Sequence, residues 1–576
     1  MVVSQILGYK DFFRTGQPGS KEEYATKVGK DDIQRLCSLM LTYCKPGLTP
    51  PVDVLIAMWF QYKGKSYHES IAYNHIIDEY RRIIHTSGHN SFSLLNEEAL
   101  LNMYIWATEN KNIPESIDHK DGSFMVPLFM LYLLFNDDVL ANNEKAVQQA
   151  KQSATQVNMR FVLAQAFPVA DLTDIEYGKL IYAHTYKIME LLNFLESTPK
   201  YQALYQHLLK DFGCINKEEF FKALGGAVII PLNPLKTGMN ILTLDQNKEP
   251  ERSKEFLDKL VLDPGDIDLG PTDYKILRDR PLQAVDDEYR VVFELFLVKK
   301  LYNGILFKLS EYVNKNKKLL NGSFFGEIRN DFSEGVLLYN TMTEIFRARK
   351  GVAITGEAFK KAGLQREPDY YFREDEKALI MESKDFFMIA KDKLSYDFDT
   401  ITAGLKVDGR LGKAVLQSAT NVIRALKQEL ILDKDYSLSN LAVYPTIVTH
   451  DSLYNTPSLN YWVNDWFQAE LESLLVNPEN EKIDVSNVRP VTLIDIDTLI
   501  LYRANFQRGE LDLFKLIDGY QQYVRFDKVT EDADQQFQNA TTSFSMYVEN
   551  EARKMGIVVD LKLIEEVYHI SGYVDK

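Results

Sequence analysis

The hydrophobic period of this chain changes partway along its length, and that change constrains the fold class more than any other feature. Up to about Phe221, the segments LNEEALLNMYIWATE, EYGKLIYAHTYKIMELLNFLE and KYQALYQHLLKDF repeat apolar residues at three and four positions, the spacing of one helix face. From Phe324 onward the pattern alternates. A helix (FFGEIRNDFSEGVLLYNTMTEIFRA) leads into a short strand (DYYF), a turn (REDEK) and a second strand (ALIMESK). A long polar loop, a helix (GKAVLQSATNVIRALKQEL) and a strand (LAVYPTIVT) follow, and PVTLIDIDTLILY adds a strand running into a helix. Alternation of this kind packs helices against a mixed sheet.

At 576 residues the chain exceeds what one hydrophobic core holds, so two or three domains are expected. The texture divides it into a helical domain over 1–225, a connector over 226–323 and an α/β domain over 324–576. Within the connector, DPGDIDLGPTD reads as a linker, and PLQAV and EYRVVF flank Asp286-Asp287 as a β-hairpin. The predicted class is thus an all-helical domain followed by an α/β domain with a mixed central sheet.

Several function classes are disfavoured. No run of eighteen apolar residues suggests a bilayer span, and the longest apolar patch, Met125 to Phe135, is broken by Pro127. The amino terminus MVVSQILGYKDFF lacks a basic stretch followed by an apolar one, which predicts a cytoplasmic protein with no membrane partner. Cys37, Cys44 and Cys214 are too few and too badly spaced for a disulfide framework or a zinc site; His85 and His89 straddle Ser87-Gly88, which reads as a turn. A net charge of -16 argues against coating nucleic acid with the whole surface and limits a phosphate-binding region to a local groove. Phosphate-cradling glycine loops are absent.

One constellation carries chemistry. Pro368-Asp369, the only Pro-Asp dipeptide in the chain, opens the DYYF strand, and Glu382-Ser383-Lys384 closes the ALIMESK strand of the same predicted hairpin. Strand side chains alternate between faces, so Glu382 and Lys384 point one way while Met381, Ser383 and Asp385 point the other. Two carboxylates beside a lysine supply the hard oxygens that Mg2+ prefers, together with a cation for developing phosphoryl charge. Burying Glu382 beside Ala378-Leu379-Ile380 is costly unless the carboxylate is paired or binds metal. A decoy triplet, Asp375-Glu376-Lys377, lies in the turn itself.

The order Asp369, Glu382, Lys384 resembles the PD-(D/E)xK nuclease superfamily, over roughly 324–451. The resemblance implies a restriction-endonuclease-like domain hydrolysing phosphodiester bonds with Mg2+ or Mn2+, with DNA as substrate. It implies Asp369 and Glu382 as metal ligands and Lys384 as the group that positions water or steadies charge. It further implies an acid from the preceding helix, for which Glu334 is in place with Glu327 and Glu344 as competitors, and a glutamine from the following helix, which Gln417 matches. Spacing puts Lys413, Gln417, Asn421 and Arg424 on one helix face, opposite Leu416, Ile423 and Leu426. Lys406, Arg410 and Lys413, around the glycine-rich GLKVDGRLG read as a loop over the site, are candidate phosphate contacts with Asn421 and Arg424. His450 reads as a structural histidine. By analogy the setting is an effector of prokaryotic antiviral defence or restriction, targeted or activated by a protein partner or by self-assembly. The alternatives are a catalytically silent nucleic-acid-binding or scaffold protein, and an RNA-directed nuclease.

Overall fold

The computed structural model describes all residues except 1–4, 15–16, 62–66, 87–91, 120–123, 154–155, 233–240, 244–253, 256, 264–272, 287, 321, 525–532 and 571–576. His89, Asp287 and most of the expected linker, 264–272, therefore lie outside the described residues. The amino-terminal part is helical, as its periodicity requires, apart from the two-residue strands Gln5–Ile6 and Phe92–Ser93. Helix α1 (Met125–Lys151) corrects the reading of Pro127 as a break. The proline sits in the first turn, where its missing N–H has no intrahelical partner to lose, and the helix continues for 27 residues. By length and composition α1 could cross a membrane, but Leu128, Phe129, Leu131, Tyr132 and Leu133 are fully buried in the protein core.

Helix α2 (Tyr177–Ser197) is the hub on which other helices pack, including Lys217–Leu232 and Ile496–Gln507. The first of these runs unbroken through Gly225 and Gly226, where the texture had suggested a change of structure. The connector hairpin forms as expected, Leu282–Val285 pairing antiparallel with Glu288–Val291 across Asp286 at φ 53°.

The mixed α/β arrangement is present in the carboxyl-terminal part. Five strands, β1 (Val352–Thr355), β2 (Tyr370–Glu374), β3 (Lys377–Lys384), β4 (Ala442–Thr449) and β5 (Thr492–Asp495), stand in the order β5-β4-β3-β2-β1. The β1/β2 and β2/β3 pairs are antiparallel, and β3/β4 and β4/β5 are parallel. Alternation sorts β3 cleanly. Leu379 and Met381 join the core that contains α2, while Ala378 and Ile380 face helices α4 (Leu411–Leu426) and α5 (Leu459–Leu475). Strand β1 and the helix Gly356–Lys361 had no counterpart in the pattern reading, since four residues of VAIT are too short to show a period. The expected long loop after β3 instead contains the helices Ala390–Lys393 and Phe398–Lys406, the latter N-capped by Asp397.

One apolar cluster runs from Leu7 to Ile570 and includes Leu191 of α2 and Leu379 of β3, so helical and sheet regions share a core. Leu191→Ala is expected to cost ~2–5 kcal/mol. Because the core is shared, fluorescence from Trp59 and Trp106 and from Trp462 and Trp466, read in single-pair tryptophan variants, should shift to lower denaturant together. A shift confined to the first pair would show the two regions to be independent.

Candidate active site

The β2/β3 register places Tyr370 opposite Met381, and the pairing continues one residue further, where Asp369 N–H donates to Met381 O at 3.0 Å. Asp369 thereby lies across from Glu382, on the same face of the sheet. Its carboxylate Oδ2 accepts from Ser383 N–H at 2.7 Å, which anchors it to β3. Gly356 N–H donates to Asp369 O at 2.9 Å, tying the start of the neighbouring helix to the same residue.

Glu382 has no solvent exposure. One oxygen, Oε1, accepts from Asn421 Nδ2 at 2.9 Å, while Oε2 is buried without a hydrogen-bond partner. Lys384 Nζ stands 3.6 Å from that oxygen and 3.7 Å from Asp369 Oδ2, and donates to Ser383 O at 3.0 Å. Burial, and then the Asp369 charge, hold the Glu382 carboxyl well above the usual carboxylate range.

Glu334 comes from α3 (324–346), a helix whose Arg329–Leu338 stretch is π-helical. Such stretches are rare and tend to mark functional positions. Here successive side chains serve different partners: Ser333 Oγ donates to Asp385 Oδ2 at 2.6 Å, while Glu334 lies within the field of Asp369 and Lys384. Tyr339 Oη donates to Glu334 Oε1 at 3.2 Å, and Lys360 Nζ approaches the same oxygen at 3.8 Å. Burial, and then Asp369, push the Glu334 carboxyl up to about 7. The competing acids point elsewhere: Glu327 pairs with Lys200, and Glu344 pairs with Arg503 at 3.0 Å.

Among the described residues no group of three or more His, Cys, Asp or Glu side chains is drawn together tightly enough to hold an ion. Two carboxylates on one face, one with an unsatisfied buried oxygen, nevertheless fit a hard divalent cation, and Glu334 is the nearby acid that could join them. Gln417 Oε1 is a second buried oxygen without a partner, one turn before Asn421 on α4.

The expected faces of α4 need correction. Its buried residues are Leu411, Ala414, Val415, Ser418, Ala419, Asn421, Val422, Ile423 and Ala425, so small residues make much of the packing face. Of those expected inward, Ile423 is buried and Leu426 packs against the core, while Leu416 is 45% exposed. Asn421, expected to face phosphate, is fully buried and holds Glu382 instead. Arg424 Nη1 donates to the carbonyls of Gln365 and Arg366, at 2.8 and 2.7 Å, bracing the approach to Asp369. Lys406 lies over the Trp466 ring, Arg410 donates to Gly404 O, and Lys413 pairs loosely with Asp408 at 3.7 Å. Of these basic residues, Lys406 and Lys413 are exposed and Arg410 and Arg424 are half-buried.

His450 lies behind the site, its Nε2 2.8 Å from Ser383 Oγ on the face opposite Glu382. Burial holds its ring down to about 4, so it is neutral at physiological pH, as suits a structural residue. Lys360 and Tyr339 went unnoticed in the sequence, because the first belongs to a helix with no visible pattern and the second reads as an ordinary aromatic.

The Glu334 shift has a consequence for stability. Between its ordinary 4.5 and about 7, the folded chain binds more protons than the unfolded one, so stability falls as pH rises through that window and is level above it. Without divalent ions, Glu334→Gln should remove this loss, gaining on the order of 2–3 kcal/mol over wild type by pH 8 and little at pH 4. Chemical denaturation at the two pH values measures the difference; an equal effect at both would mean that Glu334 titrates normally.

Comparison of the chain with family models, with curated proteins and with solved structures finds no match in any of the three.

Proposed function

We propose that the chain is a divalent-metal-dependent nuclease of the PD-(D/E)xK type, with DNA as its substrate. The observation that carries this reading is the single-face grouping of Asp369, Glu382 and Lys384, with Lys384 Nζ within 4 Å of both carboxylates. The strand order, with an antiparallel hairpin feeding a parallel pair and helices on both faces, supports a restriction-endonuclease-like domain over 324–576.

Asp369 and Glu382 would hold the Mg2+ or Mn2+ ion, with Glu334 as a further acid. When bound, the ion would polarise the phosphoryl oxygen and lower the pKa of water. Lys384 supplies a fixed ammonium where negative charge grows on the phosphoryl group. Asn421 keeps Glu382 from rotating by occupying Oε1 and leaving Oε2 available. Glu334, poised near neutrality, can accept a proton from water at pH 7 or hold one. A role in prokaryotic antiviral defence or restriction, with a protein partner that targets or triggers cutting, completes the proposal by analogy.

The second reading is a nuclease-like protein that binds without cutting. It draws on the position of Lys384, which already serves both carboxylates as counterion.

Two measurements separate these readings. Purified protein with Mg2+ or Mn2+ should cleave DNA, and Lys384→Ala or Asp369→Ala should reduce the rate by about 10²-fold or more. Asp375→Asn, in the exposed turn, should leave the rate intact. Absence of chelator-sensitive cleavage on single-stranded, duplex and RNA substrates would favour the silent reading. Independently of activity, millimolar Mn2+ should raise the melting temperature of wild type but not of Glu382→Gln, whose amide replaces the charge an ion would bind. Equal shifts in both proteins would place the ion elsewhere.

A further inference from the structure

Beyond the carboxyl ends of β3 and β4 lies a cleft of about 820 Å³ that none of Asp369, Glu382 and Lys384 lines. Crevices at this end of parallel strands are common ligand sites in α/β proteins, and the volume is that of a small-molecule pocket. In a chain with 82 acidic and 66 basic residues, the cleft reverses the balance: seven of its lining side chains are Lys or Arg and five are Asp or Glu.

The buried part of this charge is paired. Asp171 is met by Arg278 at 3.0 Å, Lys299 at 3.2 Å and Lys393 at 2.8 Å, and Asp273 is shared by Arg278 and Lys393. Asp451, on the same wall, acts on Arg278 and Lys299 as a third carboxylate, so this cluster, in which Lys299 and Lys393 are buried, is balanced. The cleft's surplus cations lie among Lys275, Lys300, Lys308 and Lys315, which within the cleft face only Asp279, 2.8 Å from Lys300, and Glu311. Burial lowers the Lys299 ammonium despite Asp171 and Asp451, and Arg278 adds to the effect.

The other wall is aromatic. Phe307 is 50% exposed, and its ring packs 4.9 Å from Phe387 and 5.5 Å from Phe325. Lys300, Gly304, Phe307 and Lys308 recur at three and four positions along Lys300–Gly304 and Ile305–Lys315, so one helix face offers cation, bare backbone, ring and cation in turn. Lys300 and Phe307 are thus separated by roughly 10 Å along the axis.

We propose that this cleft is a nucleotide-binding site, with phosphate on Lys300 and Lys308 and the base against Phe307. The half-exposed ring offers a planar apolar face, the surplus lysines beside it favour an anion, and a nucleotide carries the partner of each. Two sources share this chemistry: a free nucleotide, and the end of a single strand. The inference goes beyond the nuclease reading, since binding requires neither metal nor cleavage.

The test is fluorescence anisotropy on the full chain in chelator, with a fluorescein-labelled oligothymidylate of about ten residues as probe. Saturable binding is expected, weakened roughly fivefold or more by Phe307→Ala and by Lys308→Glu. Lys482→Glu, an exposed lysine outside the cleft, should bind as wild type. Phe307→Leu replaces the alanine variant if the latter melts early. Displacement by a nucleoside 5′-monophosphate assigns the site to free nucleotides, and retention of the probe assigns it to strand ends; either supports the proposal. It is overturned if no saturable binding occurs, if the Phe307 and Lys308 variants bind as tightly as wild type, or if inorganic phosphate alone displaces the probe. Lys384→Ala should bind as wild type, so failure of the nuclease reading and failure of this one give different results.

Discussion

Two carboxylates forced together out of water are the constraint on which the candidate site depends. Asp369 cannot move away from Glu382, because its N–H is bonded to Met381 O and its carboxylate to Ser383 N–H. Glu382 cannot turn to solvent, because it has none and because Asn421 holds it. Like charges at such positions are relieved in only two ways, by protons or by cations. Lys384 supplies part of the second remedy, and the raised carboxyls of Glu382 and Glu334 show the first at work. A divalent cation would relieve the repulsion more fully than one ammonium, which is the physical basis of the proposed metal site.

The hairpin was legible because its information is local. Alternation on ALIMESK dictates that Glu382 and Lys384 share a face, and the turn Glu374-Asp375-Glu376-Lys377, with Asp375 at φ 51°, sets the register that brings Asp369 across. The hidden parts depend on relations between distant segments. Helix α4 packs Ile423 and Leu426 inward as expected but turns Leu416 out and Asn421 in, because Ala414, Ser418 and Ala419 are small enough to approach the sheet closely. That rotation turns Asn421 from an outward polar residue into the clamp on Glu382. Strand β1 escaped for the opposite reason, since its order comes from pairing with β2 rather than from its own four residues.

The helical part is more than an attachment to the sheet. Lys187, on α2, reaches the polar layer behind β3, donating to His450 O at 3.2 Å and pairing with Asp497. His450 in turn meets Ser383, the residue between Glu382 and Lys384. Buried polar chains of this kind fix relative positions because each member is costly to leave unpaired. The acid pair is thus held from one side by α4 through Asn421 and from the other by α2 through Lys187, His450 and Ser383.

Charge then decides how a polyanion can approach. A surface carrying -16 repels nucleic acid beyond contact range, but at physiological salt that repulsion fades over about 8 Å, so local geometry dominates at close quarters. The cleft past β3 is where basic side chains outnumber acidic ones, and Phe386 and Phe387 on its wall follow Lys384 directly in the chain. On the proposed reading a phosphate drawn into the cleft would lie past the end of the strand that carries Glu382, whereas one approaching the outer face of α4 would meet Arg424 already engaged with backbone carbonyls. On that reading the negative surface would disfavour indiscriminate binding and leave the sheet's carboxyl edge as the approach.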